Sequence, residues 1–182
     1  MIKTLSFFGL ISCFFCISCT TTADSSLETV SKVELKKYVG TWYEIARLPQ
    51  FFQKNCTKSQ ATYSLRSDGD IKVINQCLHA ETGEVRKAEG RAWVTNPPAN
   101  SKLKVQFFLA RWRLPFLSGN YWIAELAEDY SYAVIGDPSL EYFWILSRDE
   151  SMNCQLYDEI IHRFEGKGYD LRDIVIDRPC RH

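Results

Sequence analysis

Seven cysteines and three histidines are the residues best equipped for chemistry in this 182-residue chain. Cys13, Cys16 and Cys19 repeat at the Cys-x-x-Cys interval of redox and metal sites. They also lie within or just past an apolar run, where three small apolar side chains are the plainer reading. Cys77 and His79 are two residues apart, which would suit a thiolate nucleophile with a base beside it. His162 has no second histidine at the spacing that a zinc site needs. Asp149-Glu150 and Asp158-Glu159 read as a solvated turn and a helix surface rather than acid–base pairs. There is no Gly-x-Ser-x-Gly nucleophile turn and no phosphate-binding glycine loop. No catalytic residue set, metal site or cofactor is expected from these residues.

Composition narrows the field further. The formal net charge is +0 and the lysines and arginines are scattered. Nucleic-acid binding needs a concentrated basic footprint, so that class is set aside. Hydrophobic residues make up 46% of the chain, enough to drive collapse and exclude disorder. Aromatic residues make up 14%, more than a small core usually uses, which points to an aromatic-lined cavity. The length suits one domain.

The N-terminus reads as an export signal. Lys3 precedes an apolar run from Leu5 to Ile17, about 13 residues against the ~20 that span a bilayer. Residues 1–18 are assigned to the signal and 19–32 to a polar tether, leaving 33–182 as the folded domain. Cys19 at the boundary resembles the lipidated first residue of a mature bacterial lipoprotein. Cys16 stands where that cleavage box usually has Leu. Leu10-Ile11-Ser12-Cys13 matches the box better by letter but leaves an apolar region of only about eight residues. Plain signal-peptide cleavage is the other reading. Thr20, rather than Asp, fits retention at the outer membrane of a Gram-negative bacterium under the sorting rule that this resemblance implies. Once export is assumed, Cys56, Cys77, Cys154 and Cys180 form an even set that suggests two disulfides, with three connectivities open.

The elements follow from alternation and turns. Trp42–Leu48, Ser59–Arg66, Ile71–His79, Val85–Val94, Leu103–Ala110, Tyr121–Ala127, Tyr132–Gly136 and Tyr142–Ser147 read as eight short strands. Asp68-Gly69 is a strong hairpin signal. Leu156, Ile160 and Phe164, with Tyr157 and Ile161, give one apolar helix face. Asn153 or Ser151 would cap that helix, and Gly166 and Gly168 would end it. Asp173–Asp177 reads as a ninth strand. The predicted fold class is all-β: an eight-stranded antiparallel up-and-down barrel, one C-terminal α-helix and a short ninth strand. Closure removes exposed edges, and eight strands enclose room for one small ligand. A β-sandwich is the alternative.

Three segments carry a family resemblance. Gly40-Thr41-Trp42-Tyr43-Glu44-Ile45-Ala46-Arg47 resembles the Gly-x-Trp opening of lipocalins. Tyr132-Ala133-Val134-Ile135-Gly136-Asp137-Pro138 is similar to their second motif. Tyr142-Phe143-Trp144-Ile145-Leu146-Ser147-Arg148 is similar to the third, with its closing arginine. Order, spacing and the following helix agree over about residues 33–178. Within the family the likeness is to bacterial outer-membrane lipoprotein lipocalins and to apolipoprotein D.

The resemblance implies a barrel floor of Gly40, Trp42 and Arg148. Strand alternation agrees, since Trp144, Leu146 and Arg148 share a face. An inward arginine needs partners, and the family solution is stacking on the Trp, worth roughly 0.5–2 kcal/mol. By resemblance to apolipoprotein D, Tyr63, Asn75 and Trp144 match pocket-lining positions, with ordinary barrel packing as the plainer alternative. Phe107 and Tyr121 join them as wall candidates whose parity is not fixed. Trp112 to Leu117 would lie at the open end, there to meet a membrane, pair two copies into a homodimer, or pack over the pocket mouth.

The lipocalin arrangement also favours Cys56–Cys77 with Cys154–Cys180 over a Cys56–Cys180 bridge. Strand parity opposes the first pair unless a bulge intervenes. The implied function is binding, storage or transport of a fatty acid or lysophospholipid without catalysis, serving envelope maintenance. The partners are that lipid and the membrane reached through the N-terminal anchor. A haem, bilin or other ring compound, or a Cys-dependent enzyme of lipid or isoprenoid metabolism, are the rival expectations.

Overall fold

The computed structural model describes residues 27–182. The signal segment, Cys19 and the first part of the tether lie outside the described residues.

Eight strands form the barrel: β1 (Gly40–Arg47), β2 (Cys56–Leu65), β3 (Ile71–His79), β4 (Val85–Val94), β5 (Lys102–Gln106), β6 (Gly119–Leu126), β7 (Tyr132–Gly136) and β8 (Phe143–Ser147). Each pairs antiparallel with the next, and β8 and β2 both pair with β1, which closes the sheet. β1 meets β2 only over Gly40–Tyr43. Further along, a ninth strand, β9 (Val175–Ile176), takes the vacated edge at Ala46 and Arg47.

Alternation sorts the side chains into two cores. Ala133, Ile135 and Leu146 point inward with Trp42, Tyr63, Ile71, Val73 and Ile123. Val134, Phe143 and Ile145, one position out of phase, point outward. That outer face is covered by a helix, α2 (Cys154–Glu165), through Ile160 and Phe164, and by Tyr169 and Leu171 beyond it. Asn153 caps α2: its Oδ1 accepts a hydrogen bond from Leu156 N at 3.1 Å. Gly166 follows the last helical residue, as expected. No described helix is long and apolar enough to cross a membrane.

Two local expectations are corrected. β5 stops at Gln106 rather than continuing to Ala110. The Gln106 side chain turns the chain away: its Nε2 donates to Phe108 O at 2.7 Å and its Oε1 accepts from Leu114 N at 2.8 Å. A four-residue helix, α1 (Leu35–Tyr38), precedes β1 where no periodic pattern marks one.

Candidate functional site

The strands alternate direction, so the connections 48–55, 80–84, 107–118 and 137–142 share one end of the barrel. Below them lies a cavity of about 350 Å³. Tyr63, Asn75, Phe107, Tyr121 and Trp144 all line it, joined by Val73, Val105 and Leu146. Phe52, Arg86 and Lys87 stand among its lining residues nearer the mouth. No residue of Trp112–Leu117 lines it.

The opposite end is closed by the residues of the Gly-x-Trp segment. Trp42 is fully buried. The Arg148 guanidinium lies over its ring, 3.8 Å from the centroid. Arg148 Nη1 donates to Thr41 O at 2.8 Å, and Nη2 donates to the carbonyls of Lys37, Tyr38 and Val39 at 2.8–3.0 Å. These are carbonyls at the C-terminal end of α1, which a helix leaves unpaired. Gly40 has φ +107°, and a Cβ there would come within 3.1 Å of Arg148 Nη1. The positive φ and the close approach both favour glycine.

Between floor and cavity sit three tyrosines. Tyr38 and Tyr121 hydroxyls are 2.7 Å apart, and Tyr63 donates to Tyr121 at 3.1 Å. Burial pushes the Tyr63 phenol up to about 12 and the other two well above their ordinary value. The trio is therefore neutral at ordinary pH, and Tyr63 and Tyr121 bring no charge to the cavity wall.

A family model for the "Lipocalin-like domain" matches residues 33–179. The chain is a lipocalin. It is 38% identical over 151 residues to the outer membrane lipoprotein Blc of Vibrio cholerae, covering 82% of this chain and 85% of that one. Against Blc of Escherichia coli K12 it is 34% identical over 163 residues, covering 89% of each. Against apolipoprotein D of Macaca fascicularis it is 36% identical over 149 residues, covering 77% of this chain and 74% of the relative. Among solved structures, insecticyanin from the tobacco hornworm superposes with a TM-score of 0.64 at 20% identity, over 83% of each chain. That likeness is one of fold alone.

The lipocalin barrel also carries a buried charged cluster that sequence reasoning missed. Glu44 Oε1 accepts from Arg47 Nη1 at 2.6 Å, and its Oε2 accepts from Gln53 Nε2 at 2.8 Å. Trp144 Nε1 donates to Gln53 Oε1 at 3.0 Å, so Gln53 ties the first connection to both β1 and β8. Asp177, just past β9, accepts from Ser59 N at 2.7 Å and Arg178 Nη1 at 2.9 Å. Arg178 also donates to Ser59 O at 2.6 Å and Glu44 O at 3.0 Å. Burial raises the Glu44 carboxyl above its ordinary range, against the pull of Arg47. Burial raises Asp177 as well, against Ser59 N–H, Arg178 and Arg47. Glu44 was within reach of the sequence, since it sits two residues past Trp42 and so shares its inward face. Nothing local marked Arg47, Asp177 or Arg178.

Asn75 Oδ1 is buried in the cavity wall without a hydrogen-bond partner. Ala61 and Ala88 lie opposite Asn75 on the two neighbouring strands.

The cysteines pair as Cys56–Cys77 and Cys154–Cys180, with Cα separations of 5.4 and 4.8 Å. The bulge that the first pair requires is present. The β2–β3 register shifts between Thr57 and Gln60, and Lys58 has φ +50°. The shift brings Cys56 onto the face of Cys77. All four cysteines among the described residues are bridged, so the Cys77–His79 thiolate reading loses its nucleophile.

Proposed function

We propose that this lipocalin is exported, anchored by lipid on Cys19 to the outer membrane, and binds a fatty acid or lysophospholipid without catalysis. The observation that carries the reading is the cavity itself: open at one end, with most of its exposed wall apolar or aromatic, and with polar side chains such as Glu44, Gln53, Gln60, Asn75 and Gln76 set into that wall. Removing an acyl chain from water there contributes roughly 25 cal/mol per Å² of apolar surface. A few polar groups suffice to orient the head. The relatives named outer membrane lipoprotein support the anchored location. Maintenance of the envelope lipid is the role that such a binder would serve.

A ring compound is the second reading. Five aromatic residues line the wall, and Asn75 Oδ1 offers an unpaired acceptor for a ligand N–H or O–H. Native mass spectrometry of residues 20–182, purified from an exported and oxidised preparation, separates the two. The expected result is one acyl or lysophospholipid mass per chain or per dimer. A coloured ring compound, or an empty protein that ignores a lipid panel, would overturn it.

A further inference from the structure

We propose that the connection 107–118 and the adjoining start of β4 form a docking surface for a bilayer containing anionic lipid, bringing the cavity mouth to the membrane. The proposal deepens the anchored lipid-binding reading and rests on it for its purpose.

The first observation is an apolar surface with no cover. Phe108 is 68% exposed, Trp112 57% and Phe116 81%, and Leu109 and Leu117 are exposed beside them. Scattered exposed apolar residues are ordinary, but this many on one connection mark an interaction site. The side chains are Phe, Trp and Leu, the types that settle at a membrane interface.

The second is the mounting of this connection. Arg113 and Arg91 both pair with the buried carboxylate of Asp70, and Arg91 Nη1 donates to Arg111 O at 2.9 Å. With Gln106 bonded to Phe108 and Leu114, the polar groups hold the loop to the barrel while its large apolar side chains stay outward.

The third is charge. Residues 107–118 contain Arg111 and Arg113 and no carboxylate. Arg86 and Lys87 are exposed at the start of β4 on the border of the cavity, while Arg113 is paired with Asp70 of the β2–β3 turn. Glu81, Glu84 and Glu141 lie on other connections, as do Asp170 and Asp173 before β9, while Asp68 and Asp70 of the β2–β3 turn pair with Arg91 and Arg113. Basic residues close to an anionic surface add to apolar burial there.

The fourth is the cavity's own outline. β4 pairs with β5 only over Arg91–Val94, so Val85–Gly90 have no strand beside them on that side. Arg86, Lys87, Ala88 and Phe107 border the cavity at this gap. The cavity therefore opens toward the same surface.

The last concerns the tether. Leu27 packs beside Gly136, the final residue of β7, so the described chain begins toward the open end. From there it runs toward the closed end, with Val30 N bonded to Ile123 O and Val33 N to Ala99 O. The eight residues Cys19 to Ser26 reach at most ~29 Å. A lipid on Cys19 thus holds the barrel within that reach of the bilayer. This favours a membrane over a second copy as the occupant.

The test is co-sedimentation of residues 20–182, which contain the whole described barrel, with phosphatidylcholine vesicles with and without phosphatidylglycerol. Wild type, Trp112→Ser/Phe116→Ser and Arg111→Glu are compared, and cavity affinity for a lysophospholipid is measured in each. Wild type is expected to sediment with the anionic vesicles and the two variants about tenfold more weakly, with cavity affinity unchanged. Equal sedimentation of all three, or none by wild type, would overturn the proposal. A concentration-dependent dimer broken by the double variant, without vesicle binding, would assign the surface to a second copy and overturn it too. Vesicle binding with no cavity affinity would sink the lipid-binding reading instead.

Discussion

Arg148 lies over Trp42 at 3.8 Å while its two terminal nitrogens hold four main-chain carbonyls. One guanidinium thereby joins the end of α1, the start of β1 and the ring that closes the barrel. Arg148→Ala removes the stack and leaves those carbonyls to water. The expected loss is about 3 kcal/mol by urea unfolding. Gly40→Ala, at φ +107° and pressed against the same arginine, is expected to lose about 1–2 kcal/mol. A loss below about 0.5 kcal/mol in both would remove the floor from its structural role.

The buried carboxyls set an unusual pH dependence. Glu44 and Asp177 are both held above their ordinary values of 4.5 and 3.8. Such a group binds its proton more tightly in the folded than in the unfolded chain. Its contribution to stability is complete below the unfolded value and is lost as pH rises through the folded one. In Glu44→Gln that loss is absent at position 44. The stability of the variant relative to wild type should therefore rise between about pH 4.5 and about pH 8. Unfolding curves at the two pH values check this, and a relative stability that falls with pH would contradict it.

Cys154–Cys180 ties the tail to the start of α2 across 26 residues of sequence. Cys154→Ala/Cys180→Ala is expected to lose about 3 kcal/mol, with the loosening concentrated after β9. Hydrogen exchange resolves the place. Faster exchange spread evenly over the barrel, with the tail unchanged, would be the wrong pattern.

Asn75 tests the character of the ligand. Its buried Oδ1 has no partner, so Asn75→Leu should leave the empty barrel as stable or more stable by up to about 1 kcal/mol. An acyl chain should bind the variant at least as well as wild type. A ligand that donates a hydrogen bond to Asn75 should bind it more weakly. Thermal melting and a titration together read both.

The legible parts of this fold are those with local punctuation. β3, β4 and β7 run over the residues expected for them, with Asp68-Gly69 marking the start of β3. The helix was readable from Leu156, Ile160 and Phe164 and its Asn153 cap. The early end of β5 was not, because it depends on Gln106 bonding forward to a loop whose course no periodicity describes. The bulge at Lys58 is similar: only the demand of Cys56 for Cys77 hinted at it. Tyr63, Asn75 and Trp144 stand on the cavity wall, as do Phe107 and Tyr121, whose parity alternation left open. Arg47, Asp177 and Arg178 come together from opposite ends of the chain, a meeting that only the closed barrel produces.

The central claim is that the cavity holds an acyl lipid, and filling the cavity tests it most directly. Ala61 lines it beside Trp42 and Asn75, and Ala88 lines it from β4 on the other side of Asn75. Calorimetric titration of a palmitoyl lysophospholipid into wild type, Ala61→Trp and Ala88→Phe, with melting curves confirming each fold, is the measurement. Wild type is expected to bind saturably, and whichever folded variant fills the space is expected to lose that binding. Undiminished binding by both folded variants, or no binding by wild type, would contradict it.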